Sequence, residues 1–290
     1  MKDILNEIAD RTRERVAEQK KEISLEEMKK KAEMLCRSEI EEGNDQSEAR
    51  EQNDQNVKNG QNGKGTFLQA LSGDGIHLIC EVKKASPSKG IIAEDFPYAE
   101  IAKDYERGGA SAISVLTEPY YFLGSNDYLI EIRKEVTIPI LRKDFIVNEY
   151  QIYETKVLGA DACLLICAIL DQDTLNRYLS LAHSLGLNAL VETHDDKEIE
   201  MAVKAGAKII GVNNRNLKDF SVDVGHSRNL RKLVPEDVIF VAESGIKEKQ
   251  QVMELYNDGV NAVLIGETFM RAPDRAALVK DYRSVSNGKE

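Results

Sequence analysis

The sequence has no long apolar run and no cysteine pair at metal-binding spacing. No stretch approaches the ~18 apolar residues that a membrane-spanning helix needs, and residues 1–16 have no apolar segment typical of a secretory signal. We therefore expect neither. The four cysteines, Cys36, Cys80, Cys163 and Cys167, show no CxxC spacing. We interpret them as reduced and largely buried thiols of a cytoplasmic protein, and we expect no metal site.

The chain has fewer basic than acidic residues. The chain has 39 Lys and Arg against 50 Asp and Glu, a formal net charge of -11. Such a surface argues against nucleic acid as a partner, because nucleic-acid binding needs a basic stripe. It leaves an anionic small substrate open, because local charges and backbone amides in a pocket outweigh a distant surface. At 290 residues, with 42% hydrophobic and 31% charged, the chain suits one large domain or two small ones.

From residue 77 onward, short β-branched runs alternate with helical segments. The predicted strands are 77–83, 111–117, 138–143, 161–167, 187–192, 208–213, 237–243 and 260–266. Eight strand–helix units predict a parallel sheet with crossover helices, and eight is the number that closes a (β/α)₈ barrel. The alternative is an open doubly wound sheet, but neither its G-x-G-x-x-G motif nor a Walker loop is present. The predicted fold class is therefore α/β, a (β/α)₈ TIM barrel with extra N-terminal helices.

The N-terminal region predicts two amphipathic helices that lie on something larger. Ile4, Ile8, Thr12 and Val16 form a stripe at helical spacing, and Ser24-Leu25-Glu26-Glu27 is a capping box. The following segment is rich in Glu, Asp, Asn, Gln and Gly, and it has too little apolar surface to offset its ordering entropy. We therefore divide the chain into an N-terminal helical extension packing on the barrel (1–37), a flexible polar insertion (38–65) and the barrel (66–290).

Polar residues collect where the predicted strands end. In barrels of this type the active site lies at the carboxyl ends of the strands. Taken singly, such a lysine is usually a solvated loop residue and such a glutamate the first-turn acid of the next helix. Six strand ends together predict a site. The residues are Glu81, Lys83, Lys143, Glu192, Asn213, Arg215, Glu243 and Glu267.

Two short segments predict a phosphate site. Ser244-Gly245 and Gly266-Glu267 follow the seventh and eighth strands, where such barrels commonly hold phosphate on backbone amides. Glycine there lets the backbone approach an anion closely, although both glycines also suit simple turns. The residues alone therefore predict a phosphate-binding barrel enzyme with acid–base chemistry.

Motifs at seven of the eight predicted strands carry a resemblance to a known family. They are Glu81-Val82-Lys83-Lys84-Ala85-Ser86-Pro87-Ser88, Ser114-Val115-Leu116-Thr117 with Tyr121-Phe122-x-Gly124, Ile140-Leu141-Arg142-Lys143-Asp144-Phe145-Ile146-Val147, Leu190-Val191-Glu192, Gly211-Val212-Asn213-Asn214-Arg215-Asn216-Leu217, Val241-Ala242-Glu243-Ser244-Gly245-Ile246 and Leu264-Ile265-Gly266. In this order, over residues 67–280, the chain resembles indole-3-glycerol-phosphate synthase. That family closes an indole ring in tryptophan biosynthesis, releasing carbon dioxide and water, and the resemblance implies no cofactor and no metal.

The resemblance also implies roles for individual residues. Lys143 is expected to be the ring-closing acid, Lys83 the lysine that faces the carboxylate and phosphate, and Glu192 the acid or base of dehydration. Which lysine serves each proton transfer stays open. The remaining implied residues position these groups, bind the anthranilate ring or belong to the first loop: Glu81, Asn213, Arg215, Glu243, Phe122, Phe145, Pro87, Ser86 and Ser88. The implied phosphate cradle consists of Ser244, Gly245, Gly266 and Glu267.

Two features depart from the family pattern. The insertion at 38–65 leaves open how the N-terminal helices close over the site. Glu267 brings a carboxylate next to the expected phosphate, which is tolerable if its N–H binds while its side chain points away.

Other functions stay open beside this one. A Schiff-base aldolase would use Lys143 or Lys83 as nucleophile, and a non-catalytic phosphosugar-binding barrel would need only the phosphate cradle. The expected partner is an anionic phosphosugar, with no nucleic acid or membrane. We expect a monomer that has contacts with other enzymes of the tryptophan pathway.

Overall fold

A closed parallel barrel confirms the predicted fold. The computed structural model describes residues 4–50, 66–216 and 220–285, with the side chains of 40–50 left out. Each barrel strand pairs in parallel with its neighbour in sequence, and the first pairs with the last. The strands are β1 (His77–Val82), β2 (Ala112–Leu116), β3 (Ile140–Lys143), β4 (Ala162–Ile166), β5 (Asn188–Thr193), β6 (Ile209–Asn213), β7 (Ile239–Glu243) and β8 (Ala262–Ile265).

Helices precede the barrel and connect its strands. They are α1 (Ile4–Glu22), α2 (Leu25–Arg50), α3 (Phe67–Ala70), α4 (Tyr98–Arg107), α5 (Asn126–Glu135), α6 (Glu149–Val157), α7 (Gln172–Ser184), α8 (Asp196–Lys204), α9 (Gly225–Leu230), α10 (Lys249–Asn257), α11 (Glu267–Met270) and α12 (Arg275–Arg283). Short 3₁₀ turns follow β4 and α9, and a hairpin of two-residue strands lies in the loop after β1. None of the helices in the described ranges is both long and apolar enough to cross a membrane.

Strand alternation separates the core into two layers. In β1, Leu78, Cys80 and Val82 point outward into the apolar layer beneath the helices, whereas Ile79 points into the barrel. Successive side chains of a strand face opposite sides, so Glu81 and Lys83 continue the inward row past the last apolar layer. The same alternation puts Leu141 inside the barrel and Lys143 above it.

The barrel interior is closed at both ends. At the amino end, Thr66 caps α3 with a reciprocal capping box, and Phe67 and Leu71 close the interior. At the carboxyl end, Leu5 and Ile8 of α1 belong to the same buried cluster. The packed interior is therefore a rigid floor beneath the carboxyl ends of the strands.

The predicted amphipathic stripe on α1 is buried as expected. Ile8, Thr12 and Val16 are buried and Ile4 is half-buried. The second helix begins at Leu25, where the Glu27 N–H donates to Ser24 Oγ at 3.2 Å.

The second helix extends past the predicted boundary at residue 38. Helix α2 continues through 38–50 and ends at Arg50, where Glu, Gln, Ala and Arg are good helix formers. Its packing against the barrel includes an ion pair of 2.6 Å between Glu39 and Lys156 of α6. The rest of the predicted insertion, 51–65, lies outside the described residues.

A buried arginine ties β3 to the helix that follows it. Arg142 is 1% exposed and faces outward. Its guanidinium donates to Glu154 Oε2 at 2.5 Å, to Asp144 Oδ2 at 3.2 Å and to the Gln151 carbonyl at 3.0 Å. A buried guanidinium is tolerated only when its donors are satisfied and its charge is matched. The network therefore fixes the orientation of the strand that carries Lys143.

Replacing Arg142 by Met should lower the free energy of unfolding by about 3–5 kcal/mol, because Asp144 and Glu154 lose a shared buried partner. Urea unfolding at pH 7 measures the loss. Lys208→Met, on an exposed ion pair, serves as the control. A loss below about 1 kcal/mol would mean that the network is dispensable.

Candidate active site

All sixteen residues predicted for the site line one cavity of about 720 Å³ at the carboxyl ends of the strands. They come from seven of the eight barrel strands and the segments that follow them. They are Glu81, Lys83, Ser86, Pro87, Ser88, Phe122, Lys143, Phe145, Glu192, Asn213, Arg215, Glu243, Ser244, Gly245, Gly266 and Glu267. The cavity brings together acids, amines, aromatic rings and backbone turns from distant parts of the chain.

The carboxylate of Glu81 is ion-paired with the ammonium of Lys83. Both side chains rise from β1 on the same face. Gly266 makes room for this pair, because a Cβ at that position would overlap Glu81 Oε2 and crowd Lys83 Nζ. The Glu81–Lys83 pair thus requires a glycine at this position.

Lys143 is the centre of a buried charge cluster. Its Nζ lies 2.9 Å from Glu192 Oε2 and 3.3 Å from Glu243 Oε2. Burial disfavours the charged ammonium, but the carboxylates of Glu192, Glu243 and Glu81 outweigh burial and raise the pKa of Lys143. Lys143 is therefore an ammonium throughout the neutral range, with a proton to give.

The two carboxylates that share Lys143 differ in their proton affinity. Burial opposes ionisation of Glu192, but Lys143 and His194 overcome it and lower the pKa of Glu192. Asn213 Nδ2 also donates to Glu192 Oε1 at 3.2 Å. Burial raises the pKa of Glu243 to about 7, with Lys143 opposing and Glu192 adding to the increase. The lowered pKa of Glu192 suits a base, whereas the raised pKa of Glu243 suits a group that can carry a proton.

Glu243 also has an unused acceptor. Its Oε1 is buried and has no hydrogen-bond partner among the described residues. Gly211 of β6 leaves the space that this oxygen occupies. An unpaired buried carboxylate oxygen at a cavity wall is suited to bind a hydroxyl of a ligand.

An aromatic pair forms the apolar part of the cavity. The rings of Phe122 and Phe145 lie 6.1 Å apart at 38°. Glu118, which sequence reasoning missed, shapes this part: its buried carboxylate accepts the N–H groups of Tyr120, Tyr121 and Phe122 at 2.7–3.0 Å. The sequence gives no signal that the carboxylate of a residue after a strand will accept hydrogen bonds from its own loop.

The turns after β7 and β8 form the opposite end of the cavity. Ser244 has a left-handed backbone with φ of 68°, which is uncommon for a residue with a side chain. Asn214, also missed from the sequence, donates to the Ser244 carbonyl at 3.2 Å and accepts the Ser227 N–H at 2.9 Å. The Glu267 carboxylate accepts from Arg271 Nε at 3.1 Å. The Glu267 side chain is thus engaged by Arg271 along α11.

Comparisons with known proteins agree on one family. A sequence model of indole-3-glycerol phosphate synthase matches residues 33–282. The enzyme of that name from Lachnoclostridium phytofermentans is 47% identical over 282 residues, which cover 97% of this chain and 99% of that protein. The one from Ruminiclostridium cellulolyticum is 56% identical over 217 residues, covering 75% and 84%. The chain belongs to the indole-3-glycerol phosphate synthase family. It is therefore a carboxy-lyase of tryptophan biosynthesis.

Solved structures support the fold alone. The 3-hexulose-6-phosphate synthase from Salmonella typhimurium superposes with a TM-score of 0.60 at 15% identity, covering 74% of this chain and all of that one. A thiamine phosphate pyrophosphorylase from Pyrococcus furiosus gives 0.56 at 17%, covering 73% and 96%. Identities this low carry no argument about substrate.

In this member of the synthase family, α1 closes the carboxyl end of the barrel. Ile4, Leu5 and Ile8 line the cavity. Further along the helix, Arg15 Nη2 donates to both carboxylate oxygens of Asp144 at 2.8 Å. Asp144 follows Lys143 directly, so the helix is attached to the residue next to the central ammonium.

This attachment was not visible in the sequence. The stripe on α1 predicts only that the helix packs on something, whereas the Arg15–Asp144 pair joins residues 129 positions apart.

Replacing Arg15 by Leu should make the protein more sensitive to acid. Burial works against ionisation of Asp144, but Arg15 and then Arg142 lower its pKa below the usual 3.8. A lowered carboxyl pKa contributes stability that is present above the unfolded pKa and lost as the pH falls through the folded one. Without Arg15 the folded pKa rises, so this loss should begin at higher pH.

Melting temperatures between pH 7 and pH 3 test this expectation. At pH 7 the variant should lose about 1–3 kcal/mol, because Asp144 loses one of its two ion-pair partners and keeps Arg142. Arg13→Leu, which breaks an exposed pair with Asp10 on the same helix, should leave the acid profile unchanged. Identical profiles for the two variants would show that Arg15 does not hold Asp144 in solution.

Proposed function

We propose that the chain converts 1-(2-carboxyphenylamino)-1-deoxyribulose 5-phosphate to indole-3-glycerol phosphate by ring closure, decarboxylation and dehydration. The observation that carries the proposal is the Lys143 ammonium, buried between Glu192 and Glu243 at the floor of the cavity. A proton donor with basic groups at its side is what such a reaction sequence requires.

The proposed substrate pose follows the chemistry of the walls. The anthranilate ring lies between Phe122 and Phe145, next to Pro87 and beneath the apolar residues of α1. Its carboxylate faces Lys83, and the phosphate lies at the turns of Ser244-Gly245 and Gly266-Glu267. The ketone then lies between these ends, over Lys143.

Ring closure begins with attack of the aromatic carbon on the ketone carbon. Lys143 gives its proton to the ketone oxygen as that oxygen gains negative charge, and a hydroxyl results. The neutral amine left behind lies next to Glu243, whose raised pKa suits it to exchange a proton with the lysine. Lys83 binds the carboxylate up to this point. The carboxylate then leaves as carbon dioxide, and the electron pair of the broken bond returns to the ring.

Dehydration completes the indole. The hydroxyl leaves as water after accepting a proton, and a base removes the remaining ring-side proton. Glu192 is the proposed acid or base of this step, since it adjoins both Lys143 and Asn213. Glu81, Asn213, Arg215 and Glu243 position these groups and the substrate hydroxyls, and Ser86 and Ser88 belong to the loop over the site.

The aldolase alternative is not favoured. A Schiff-base lysine must be neutral to attack a carbonyl, and such enzymes lower its pKa by burial or a second cation. Here carboxylates surround Lys143 and raise its pKa. The non-catalytic barrel is not favoured either, because it would have no use for this charge cluster.

The same proposal includes the protein's setting. We propose a cytoplasmic monomer with a phosphosugar substrate, no cofactor or metal, and contacts with other enzymes of the tryptophan pathway. The N-terminal extension belongs to the catalytic unit, because α1 residues form part of the cavity wall.

Replacing Lys143 by Ala should leave a folded protein and lower kcat by about 10²–10⁴-fold, the usual contribution of general acid catalysis. Lys143→Arg should be almost as impaired, because a guanidinium keeps the charge but does not release its proton. Appearance of indole fluorescence measures turnover. The exposed Lys197→Ala on α8 is the control, and a loss below about tenfold would remove Lys143 from the acid role.

Inorganic phosphate should bind at the turns after β7 and β8. Titration should shift the backbone ¹⁵N–¹H resonances of Gly245, Gly266 and Glu267 saturably, whereas potassium chloride of equal ionic strength should not. Glu267→Gln should change the phosphate Kd by less than about threefold, since Arg271 holds the carboxylate. Saturable shifts confined to Ser86–Ser88 would put the phosphate at the wrong end of the cavity.

A further inference from the structure

His194, one residue beyond the end of β5, lies between two carboxylates. Its Nδ1 is 3.1 Å from Glu198 Oε2 on α8, and its Nε2 is 3.5 Å from Glu192 Oε1. Glu198 Oε2 also accepts the backbone N–H of His194 at 2.7 Å, so the ring and its backbone are held by one side chain. His194 does not line the cavity, whereas Glu192 does. Any effect of His194 on the reaction must therefore act through Glu192.

The contact with Glu198 determines which ring nitrogen carries a proton. A carboxylate only accepts hydrogen bonds when ionised, so Nδ1 is the protonated nitrogen in the neutral ring. Nε2 would then present a lone pair to Glu192, and a buried lone pair facing a carboxylate is repulsive. Nε2 is indeed buried with no hydrogen-bond partner among the described residues. A second proton converts the same contact into an attractive ion pair at 3.5 Å.

We propose that His194 is a positioning residue that, as an imidazolium bridging Glu198 and Glu192, holds the Glu192 carboxylate ionised and oriented toward the cavity. This inference rests on the proposed function, because it gives Glu192 a catalytic task. Lys143 and Asn213 hold Glu192 from the cavity side, and His194 holds it from behind. Two hydrogen-bond donors and one facing positive charge thus restrict rotation of the carboxylate, which a base needs if it is to meet its proton at one position.

The charges around His194 favour the imidazolium. Glu192 on its own strand, Glu198 on α8 and Glu243 on β7 are the ionisable groups that act on the ring. From α9, His226 Nε2 contacts the His194 carbonyl at 2.7 Å and so engages the backbone, not the ring. Burial lowers the pKa of His194, but the hydrogen bond to Glu198 and the carboxylate charges raise it overall.

The sign of the pH effect follows from this arrangement. Below the raised pKa the ring is charged and Glu192 is held. As the pH rises through that pKa the Nε2 proton is lost, the contact becomes repulsive, and the Glu192 carboxylate loses the positive charge that faces it. We therefore expect kcat to fall on the alkaline side as His194 deprotonates.

The first experiment follows the four histidines by NMR in ring-labelled protein, with His194 assigned by the signal that His194→Asn removes. The proposal expects His194 to titrate above the usual 6.5. Glu192→Gln and Glu198→Gln should each move its pKa down by about 0.5 or more, because each removes a facing charge. A His194 pKa that Glu192→Gln leaves unchanged overturns the pair. The measurement needs no turnover.

The second experiment measures the catalytic consequence. His194→Asn keeps a polar side chain without the charge, and kcat should fall roughly tenfold while KM changes less than about twofold. In this variant the decrease of kcat at alkaline pH should disappear. His183→Asn, the same substitution at an exposed position on α7, should change neither. A His194→Asn protein with wild-type kcat and pH profile overturns the positioning role.

The two experiments also separate this inference from the proposed function. Glu192→Gln with full activity would remove Glu192 from catalysis, and the catalytic consequence of His194 would go with it even if NMR shows the pair. A damaged Glu192→Gln enzyme beside an intact His194→Asn enzyme would leave the proposed function standing and overturn the role of His194 alone.

Discussion

The ammonium of Lys143 and the carboxylates around it are the interaction on which the site depends. Both carboxylates are buried and the lysine is largely so, and none would be tolerated there alone, because an isolated buried ion has a desolvation penalty of several kcal/mol. Together they offset one another at distances of 2.9 and 3.3 Å. Two carboxylates to one lysine leave an excess of negative charge, which keeps one acid hard to ionise. The cluster therefore stores a transferable proton within a rigid frame.

The barrel supports this cluster from below and leaves space for its carboxylates. A packed barrel interior lies below it, and glycines stand where strands would otherwise crowd the carboxylates. Gly266 leaves room for Glu81, and Gly211 leaves room for Glu243. Behind the cluster, Arg142 satisfies Glu154 and Asp144, and Arg15 brings α1 onto the same aspartate. The site is thus supported by one further charge network, in which Arg15 and Arg142 share Asp144.

The two ends of the cavity are built differently, and this difference suits the two ends of the substrate. Phe122 and Phe145 provide an apolar slot whose loop is ordered by the buried Glu118 carboxylate. The turns after β7 and β8 offer backbone groups, with Asn214 bracing the strained Ser244. His194 lies outside the cavity, with its Nε2 3.5 Å from Glu192 Oε1. Residues outside the cavity thus contact residues that line it.

By itself the sequence determined the barrel, its eight strands and the sixteen residues that line one cavity, because strand alternation and parallel topology send all carboxyl ends to the same side. It also determined the family, through motifs that recur in order. Only the tertiary structure decided what depends on distances between remote residues: that Arg15 binds Asp144, that Glu118 folds onto its own loop, and that His194 lies between Glu192 and Glu198. It also moved the end of α2 from the predicted boundary to Arg50. Local sequence patterns predict which face of a strand or helix a side chain lies on. Its partners, its burial and its pKa depend on groups that are far apart in the sequence.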